Sequence, residues 1–229
     1  MHFHDLSIGY GKKVVARGLT AELQSGKVTC LLGSNGVGKS TLLRTLAGYI
    51  PPLKGTLDYI NPETLGVVLT ERIDTMGLRV HEIIALGRHP YTGYFGTLSQ
   101  EDKDIVHEAM TLTKTEEFAN RLFSSLSDGE RQKVMIAKAL AQETPIILMD
   151  EPSAFLDFPS KVALMQMLNY LAHEKQKSIL LSTHDIGIAL RTADVLWLMQ
   201  NGELCIGKPE ELMLEGKIGN FLGESIKYI

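Results

Sequence analysis

The sequence predicts an α/β fold in which a mostly parallel sheet is flanked by helices. Three observations support this prediction: short apolar segments suited to buried strands, helical periodicity between them, and a glycine-rich turn between the first of these strands and a helix. Continuous apolar strands of this kind are typical of a parallel sheet that is covered on both faces. The strand candidates are residues 28–32, 64–69, 145–149 and 178–182.

The first predicted helix follows the first of these strands. It extends from Lys39 to Ala47, where Gly48 supplies a residue suited to the left-handed conformation that ends many helices. Pro51 and Pro52 then exclude any continuation, because proline lacks the amide that a helix interior needs.

The middle of the chain has a different pattern. Helical periodicity recurs over 80–86, 105–112 and 131–140, and no strand is expected between 73 and 143. This pattern predicts a helical subdomain inserted into the α/β core. The sequence contains no repeat, low-complexity tract or long linker, so residues 1–229 are expected to form a single domain.

Two further segments have the pattern of antiparallel strands. These are residues 1–25 and residues 195–207, the second of which contains the hairpin signal Asn201-Gly202. We expect both segments to belong to an antiparallel side sheet.

The composition excludes several classes of protein. Of 229 residues, 44% are hydrophobic and 22% charged, and 23 Lys and Arg against 27 Asp and Glu leave a net charge of −4. This balance excludes general disorder and argues against nucleic-acid binding through bulk charge. No apolar run approaches the length of about 20 residues that crosses a bilayer, and no export signal is evident, so a cytosolic protein is expected. Cys30 and Cys205 are too few for a disulfide framework and are expected to be buried free thiols.

A phosphate-binding motif follows the first strand. Residues 33–41 fit the pattern G-x-x-x-x-G-K-[ST] between a buried strand and a helix start. Glycines in such a loop let successive amides point at phosphate oxygens, Lys39 is expected to pair with the β- and γ-phosphates, and the Ser40 hydroxyl is expected to bind Mg²⁺. The predicted nucleotide-binding residues of the loop are Gly33, Ser34, Asn35, Gly36, Gly38, Lys39, Ser40 and Thr41.

Two adjacent carboxylates end the strand at 145–149. The carboxyl ends of parallel strands meet at one edge of the sheet, so Asp150 and Glu151 are expected beside the phosphate loop. Asp150 is predicted to hold Mg²⁺ through water, and Glu151 to orient and deprotonate the attacking water.

The segment 126–132 precedes a strongly helical run and reads as a capping box. Ser127 is expected to accept a bond from the Glu130 amide while the Glu130 side chain returns one. Together with the phosphate loop and the acidic strand end, this segment resembles the signature of ATP-binding-cassette (ABC) ATPases. The resemblance extends over nearly the whole chain.

The resemblance implies a P-loop NTPase core, ATP and Mg²⁺ as cofactors, and a homodimer in which each ATP lies between two protomers. It places Ser127, Gly129 and Glu130 in trans, opposite the partner's phosphate loop. Asp157 lies in a segment similar to the family's D-loop, and the implied catalytic residues are Glu151, His184 and Lys39, with His184 contacting the γ-phosphate.

Tyr10 stands where the family has an aromatic residue that stacks on adenine. The alternative is that Tyr10 is an ordinary packed tyrosine of the side sheet. In the same way, the alternative for His184 is a histidine that caps the helix after its strand.

The chain departs from the family pattern at two places. Asp128 replaces a glycine of the signature, and we expect its side chain to turn away from the phosphate. Thr70, followed by Glu71, stands where the family has a glutamine that touches Mg²⁺. The metal contact at this loop is therefore lost, carried through water by Thr70, or taken over by Glu71.

A further likeness indicates one branch of the family. Residues 87–91 are similar to a stretch found in importer ATPases for iron-siderophore, haem and cobalamin complexes. Tyr91, Tyr94 and Phe95 either receive a helix of a membrane permease or form a small core under the helical segment.

The function implied is the ATP-hydrolysing subunit of such an importer. It would bind to integral membrane permease subunits at the inner face of the cell membrane, served by an extracytoplasmic substrate-binding protein. The alternative is a soluble ABC-type ATPase acting on nucleic acid or ribosomes. No long coiled coil, second cassette or basic arm is present, so no nucleic acid is expected as a partner.

Overall fold

The computed structural model describes residues 1–58, 61–69, 77–93 and 96–222. The strands within these ranges are β1 (His2–Tyr10), β2 (Lys13–Glu22), β3 (Val28–Leu32), β4 (Lys54–Leu57), β5 (Leu65–Val68), β6 (Ile146–Met149), β7 (Ser178–Thr183), β8 (Val195–Gln200) and β9 (Glu203–Gly207). The helices are α1 (Lys39–Leu46), α2 (Val80–Ala85), α3 (Gln100–Thr113), α4 (Asp128–Ala141), α5 (Phe158–His173), α6 (Ile186–Thr192), α7 (Pro209–Leu214) and α8 (Lys217–Leu222).

The main sheet has six strands in the order β5-β6-β7-β3-β8-β9. The first five are parallel, and only β9 is antiparallel to its neighbour. The prediction of an α/β fold with a mostly parallel sheet is therefore confirmed. The four predicted strands are present with small shifts of their ends.

The side sheet has the order β2-β1-β4 and is antiparallel. The prediction that residues 195–207 belong to it is wrong. The hairpin at Asn201-Gly202 forms as expected, but β8 pairs in parallel with β3 inside the main sheet. The reason is burial: the residues of β8 point alternately into apolar cores on both faces, as a central strand requires.

Two hydrophobic cores cover the two faces of the main sheet. Along β3, Cys30 and Leu32 face the core formed with α2 to α6, whereas Leu31 faces the core formed with α1 and the side sheet. In this second core the rings of Phe3 and Trp197 meet edge to face with centroids 5.7 Å apart. Helix α1 is thereby enclosed between the two sheets.

Helices α2, α3 and α4 lie between β5 and β6 in the chain and pack against one another. Apart from an isolated bridge between Arg79 and Leu122, the parts of 77–145 that the structure describes contain no strand. The expected helices are therefore present. Two predictions remain untested: that residues 73–143 form an inserted subdomain, and that residues 1–229 form a single domain.

Arg88 joins these helices from a buried position. Its guanidinium donates to Asp102 Oδ1 and Glu143 Oε2, both at 2.9 Å, and to the Ala141 carbonyl at 2.9 Å. The Ser99 hydroxyl, Arg88 and the Ser99 amide together hold the pKa of Asp102 at about 2. Arg88 therefore connects α3 to the chain that leaves α4.

The two cysteines are both free. Cys30 is buried, and its burial raises the pKa of the thiol to about 12. Cys205 is only half-buried, so the expectation of a buried thiol is wrong there: β9 is an edge strand, and one of its faces is open. No helix within the described ranges is long and apolar enough to cross a membrane.

The packing of the side sheet gives a prediction for stability. Replacing Phe3 by alanine is expected to lower the free energy of unfolding by about 3–5 kcal/mol, because it leaves a cavity against Trp197. Trp197→Phe is expected to cost much less, since it also removes a buried indole N–H that has no hydrogen-bond partner among the described residues.

Urea denaturation of the original chain, the Phe3→Ala variant and the Trp197→Phe variant measures these differences in the free energy of unfolding. Tyr49→Ala, at a side chain that is 62% exposed, is the control and is expected to leave the midpoint nearly unchanged. A Phe3→Ala variant as stable as the original chain would contradict this account of how the side sheet is held.

Candidate nucleotide-binding site

The phosphate loop connects β3 to α1 in a conformation that requires glycine. Gly36 has a φ of 79° and Gly38, which caps α1, has a φ of 118°. Space is also limiting, because a methyl group at Gly38 would lie 2.5 Å from Val15 Cγ1, and one at Gly33 would lie 2.8 Å from the Met199 carbonyl oxygen. Strands β2 and β8 therefore hold the loop from two sides, while residues 34–36 are exposed.

Lys39 lies almost completely buried at the centre of this loop. Its Nζ donates to the Gly33 carbonyl at 2.7 Å and to the Ser34 carbonyl at 3.4 Å. The same ammonium lies 3.7 Å from Glu151 Oε1. The positive charge of Lys39 is therefore held between the carbonyl groups of the phosphate loop and the carboxylate of Glu151, which follows β6.

The acidic pair follows β6 directly. The Asp150 amide donates to the Val68 carbonyl at 2.8 Å, and the Asp150 side chain is almost completely buried. Glu151 has a φ of 49°, so the backbone leaves the strand direction at this residue. The Glu151 side chain thereby turns towards the phosphate loop and remains only 17% exposed.

His184 follows β7, the strand between β3 and β6. Its Nδ1 lies 2.8 Å from Glu151 Oε2, and its ring is 60% exposed. The alternative of a helix-capping histidine is not supported, because Asp185 supplies the side chain that caps α6. Lys39, Glu151 and His184 therefore form one continuous contact network.

Ser182 is a residue of this site that the sequence reasoning missed. Its hydroxyl contacts the Asp150 carboxylate and the Glu151 amide. The available signal was the polar pair Ser182-Thr183 at the end of a strand whose middle, residues 179–181, is apolar.

A cavity of about 320 Å³ opens beside the phosphate loop. Its lining includes Gly33, Ser34, Asn35, His184, Gln200 and Phe221.

Tyr10 is the last residue of β1, the central strand of the side sheet. Its ring is 49% exposed, which is more open than the alternative of a packed side-sheet tyrosine predicts.

Ser40 and Thr41 are the second and third residues of α1, where Ser40 is exposed and Thr41 is buried. Thr70, Glu71, Tyr94 and Phe95 lie outside the described residues, and the expectations for them stay predictions.

The predicted capping box at the start of α4 is present. The Ser127 hydroxyl accepts from the Glu130 amide at 3.3 Å and donates to Glu130 Oε2 at 2.8 Å, while the Ser127 amide donates to the same oxygen at 2.8 Å. These bonds, with a smaller contribution from Arg121, hold the pKa of Glu130 below its usual value. The first turn of α4 is therefore rigid and carries an ionised glutamate.

Asp128 and Gly129 occupy the first two positions of the same helix. Asp128 Oδ1 lies 3.4 Å from Arg131 Nη1, one turn further along. A methyl group at Gly129 would lie 2.9 Å from the Phe155 carbonyl oxygen, so this glycine permits a close contact with the segment before α5.

Asp157, in the segment predicted to be the D-loop, caps α5 by accepting from the Ser160 amide at 3.1 Å. Hydrogen bonds from the Ser160 side chain and backbone hold the pKa of Asp157 below its usual value. Like Ser127, Asp157 is therefore engaged within its own chain at a helix start.

The motif at 87–91 is mostly engaged within the chain. The guanidinium of Arg88 lies 4.0 Å from the centre of the Tyr91 ring, and the Tyr91 hydroxyl donates to the Gln142 carbonyl at 2.8 Å. Tyr91 is nevertheless 51% exposed, so its outer face remains open to solvent.

Comparison with known families agrees with this geometry. Residues 16–154 match the model of the ABC transporter family. The chain belongs to this family. It is therefore a cassette that binds and hydrolyses ATP, and the mostly parallel sheet with a small antiparallel sheet is the ABC cassette fold.

Individual relatives of this ABC cassette span nearly its whole length. An uncharacterized ABC transporter ATP-binding protein of Methanocaldococcus jannaschii is 42% identical over 91% of this chain and 76% of its own length. The ferric enterobactin transport ATP-binding protein of Escherichia coli is 34% identical over 95% of this chain and 85% of its own length. The dimeric structure of a bacterial ABC transporter cassette superposes with a TM-score of 0.80 at 26% identity, covering 91% of this chain and 98% of that one.

The place of Lys39 in this ABC cassette gives a prediction for binding. Lys39→Ala is expected to lower the affinity for ATP roughly 10- to 100-fold, because a charged donor to the phosphates is lost. Titration with a fluorescent ATP analogue measures the affinity. Lys103→Ala, at an exposed lysine of α3, is the control. Equal affinity of the Lys39 variant and the original chain would contradict the assignment of the phosphate loop.

Proposed function

We propose that this chain is the ATP-hydrolysing subunit of an importer for metal chelates of the iron-siderophore, haem or cobalamin type. The observation that carries the hydrolytic part is the contact network of Lys39, Glu151 and His184 at the ends of neighbouring strands. The cargo class is supported by the likeness to a ferric enterobactin transport ATP-binding protein.

In this proposal the three residues divide the chemistry. Glu151 orients the attacking water and accepts its proton, and Lys39 neutralises charge on the β- and γ-phosphates. His184 contacts the γ-phosphate from a position beside Glu151. The 2.8 Å contact of His184 with Glu151 supports this, because the imidazole lies close to where the terminal phosphate would be.

The remaining loop residues bind the nucleotide. Amides of residues 33–38 and the hydroxyl of Thr41 would surround the phosphates, and the exposed ring of Tyr10 would stack on adenine.

The residues present also fit Mg²⁺, which prefers oxygen ligands. The exposed Ser40 hydroxyl would bind the ion directly, and the Asp150 carboxylate would hold it through water. When bound, Mg²⁺ neutralises charge that develops on the phosphates; Thr70 or Glu71 remains a candidate for an additional contact.

The active form in this proposal is a homodimer that pairs each phosphate loop with the partner's signature. Ser127, the Gly129 amide and Glu130 stand at the start of α4, a 14-residue helix whose N-terminus carries partial positive charge. Pairing of Asp128 with Arg131 supports the expectation that this carboxylate turns from the phosphate. Asp157 lies beside this interface, and the likeness to a dimeric cassette structure supports the arrangement.

The partners follow from the same proposal. The dimer would bind membrane permease subunits at the cytoplasmic face of the cell membrane, and an extracytoplasmic protein would deliver the chelate to the permease. The helices within 73–143, including the exposed face of Tyr91, would contact the permease.

Glu151→Gln tests the hydrolytic part of the proposal. This variant is expected to turn over ATP at least about 100-fold more slowly, because an amide cannot accept the proton of water. It is also expected to bind MgATP and to accumulate as an ATP-bound dimer. Phosphate release and size-exclusion chromatography with ATP measure the two effects. Turnover at the original rate would remove Glu151 from the role of base.

Uptake in cells tests the cargo class. Cells that lack this chain are expected to lose uptake of one labelled chelate among a ferric siderophore, haem and cobalamin. The original chain restores that uptake, whereas Glu151→Gln does not, because import needs hydrolysis. Lys103→Ala again serves as the control. If uptake of all three chelates is unchanged without the chain, the proposed cargo class is wrong.

A further inference from the structure

The Ser182 hydroxyl lies between the two acidic residues of the site. It is 2.6 Å from Asp150 Oδ1 and 2.9 Å from the Glu151 amide nitrogen. Ser182 has no exposed surface, and Asp150 is 1% exposed. These bonds therefore form away from bulk water, where their geometry is more strongly fixed than at the surface.

The direction of both bonds follows from the groups involved. A backbone amide only donates, so the Ser182 hydroxyl must accept from Glu151. An ionised carboxylate only accepts, so the same hydroxyl must donate its single proton to Asp150. One side chain thus accepts a hydrogen bond from the Glu151 amide and orients the buried Asp150 carboxylate at the same time.

The bond to the Glu151 amide sets the course of the backbone. The Asp150 amide still donates to Val68, across the sheet in one direction, whereas the Glu151 amide donates to Ser182 in the other. Between these two bonds the chain adopts the left-handed φ of 49° at Glu151, which a residue with a side chain enters only when its surroundings hold it there. The Glu151 side chain then reaches Lys39 and His184.

The geometry points to Ser182 as a positioning residue for ATP hydrolysis. It holds the Asp150 carboxylate in one orientation for Mg²⁺ and holds the Glu151 backbone so that its carboxylate faces the phosphate loop. This inference rests on the proposed roles of Asp150 and Glu151. In this inference Ser182 itself touches neither the attacking water nor the phosphates, and it acts only through Asp150 and Glu151.

Four variants separate this role from simple packing. Ser182→Ala removes the hydroxyl, while Ser182→Thr and Ser182→Val have nearly the same volume and differ in the hydroxyl. Ser178→Ala is the matched control, since Ser178 is a buried serine at the opposite end of β7. Thermal melting establishes that each protein is folded. If Ser182→Ala fails to fold, the comparison of Ser182→Thr with Ser182→Val decides whether the hydroxyl or the side-chain volume is responsible.

Two measurements are made on each purified full-length chain. The first is kcat and KM for MgATP. The second, which does not depend on turnover, is the affinity for ATP measured once with Mg²⁺ and once with EDTA. The ratio of the two affinities is the factor by which Mg²⁺ strengthens ATP binding, called here the gain from Mg²⁺. Ser182→Ala and Ser182→Val are expected to lower kcat about 10- to 100-fold and to raise KM for MgATP about tenfold, because KM follows the weakened binding of MgATP when hydrolysis is slow. They are also expected to reduce the gain from Mg²⁺ about tenfold, with unchanged affinity in EDTA.

Ser182→Thr and Ser178→Ala are expected to keep most of the original kcat and of the gain from Mg²⁺. Folded Ala and Val variants with the original kcat and Mg²⁺ gain would overturn the inference. Equal losses in the Thr and Val variants would also overturn it, because volume and not the hydroxyl would then be responsible. Glu151→Gln is measured alongside: if it retains turnover, the proposed role of Glu151 as base fails, and the inference that rests on that role fails with it.

Discussion

The site depends on the position of β7 between β3 and β6. Leu32 of β3 is paired with Thr183, and Met149 of β6 is paired with Leu181, so the three strands end at one edge of the sheet. A shift of one residue in either pairing would move every side chain of a strand to the opposite face. Because both faces are packed with apolar side chains, such a shift is strongly disfavoured. The burial of the strands therefore fixes the distances among groups that lie just beyond them.

The same edge also gathers charges out of water. Lys39 and Asp150 are almost completely buried, and burial of an ionised group costs free energy unless partners replace its hydration. Carbonyls of the loop and Glu151 surround the ammonium of Lys39, and the Ser182 hydroxyl donates to Asp150. The groups that would meet the triphosphate are thus held in place before the nucleotide arrives, which lowers the cost of orienting them at the moment of reaction.

Several residues serve the stability of one chain and the proposed function together. Ser127 rigidifies the first turn of α4 through the bonds that also bring its hydroxyl to the exposed helix start. Gly129 allows the Phe155 carbonyl to approach within the chain, and its small size would equally allow a phosphate to approach from the partner. Arg88 belongs to a stretch similar to one in importer ATPases, yet its contacts join α3 to the end of α4. Residues 87–91 therefore have a structural role, because Arg88 links α3 to the segment that follows α4.

Local patterns in the sequence determined the buried strands, the glycine loop, the helix starts and the capping box, because each depends on residues within a few positions of one another. Only the tertiary structure decided that β8 joins the main sheet, that β4 completes the side sheet, and that Cys205 lies at an open edge. It also decided the contacts of Ser182 and His184 with the acidic pair, which join residues more than thirty positions apart. Such contacts arise from strand order and burial, and neither is encoded in the neighbourhood of any single motif.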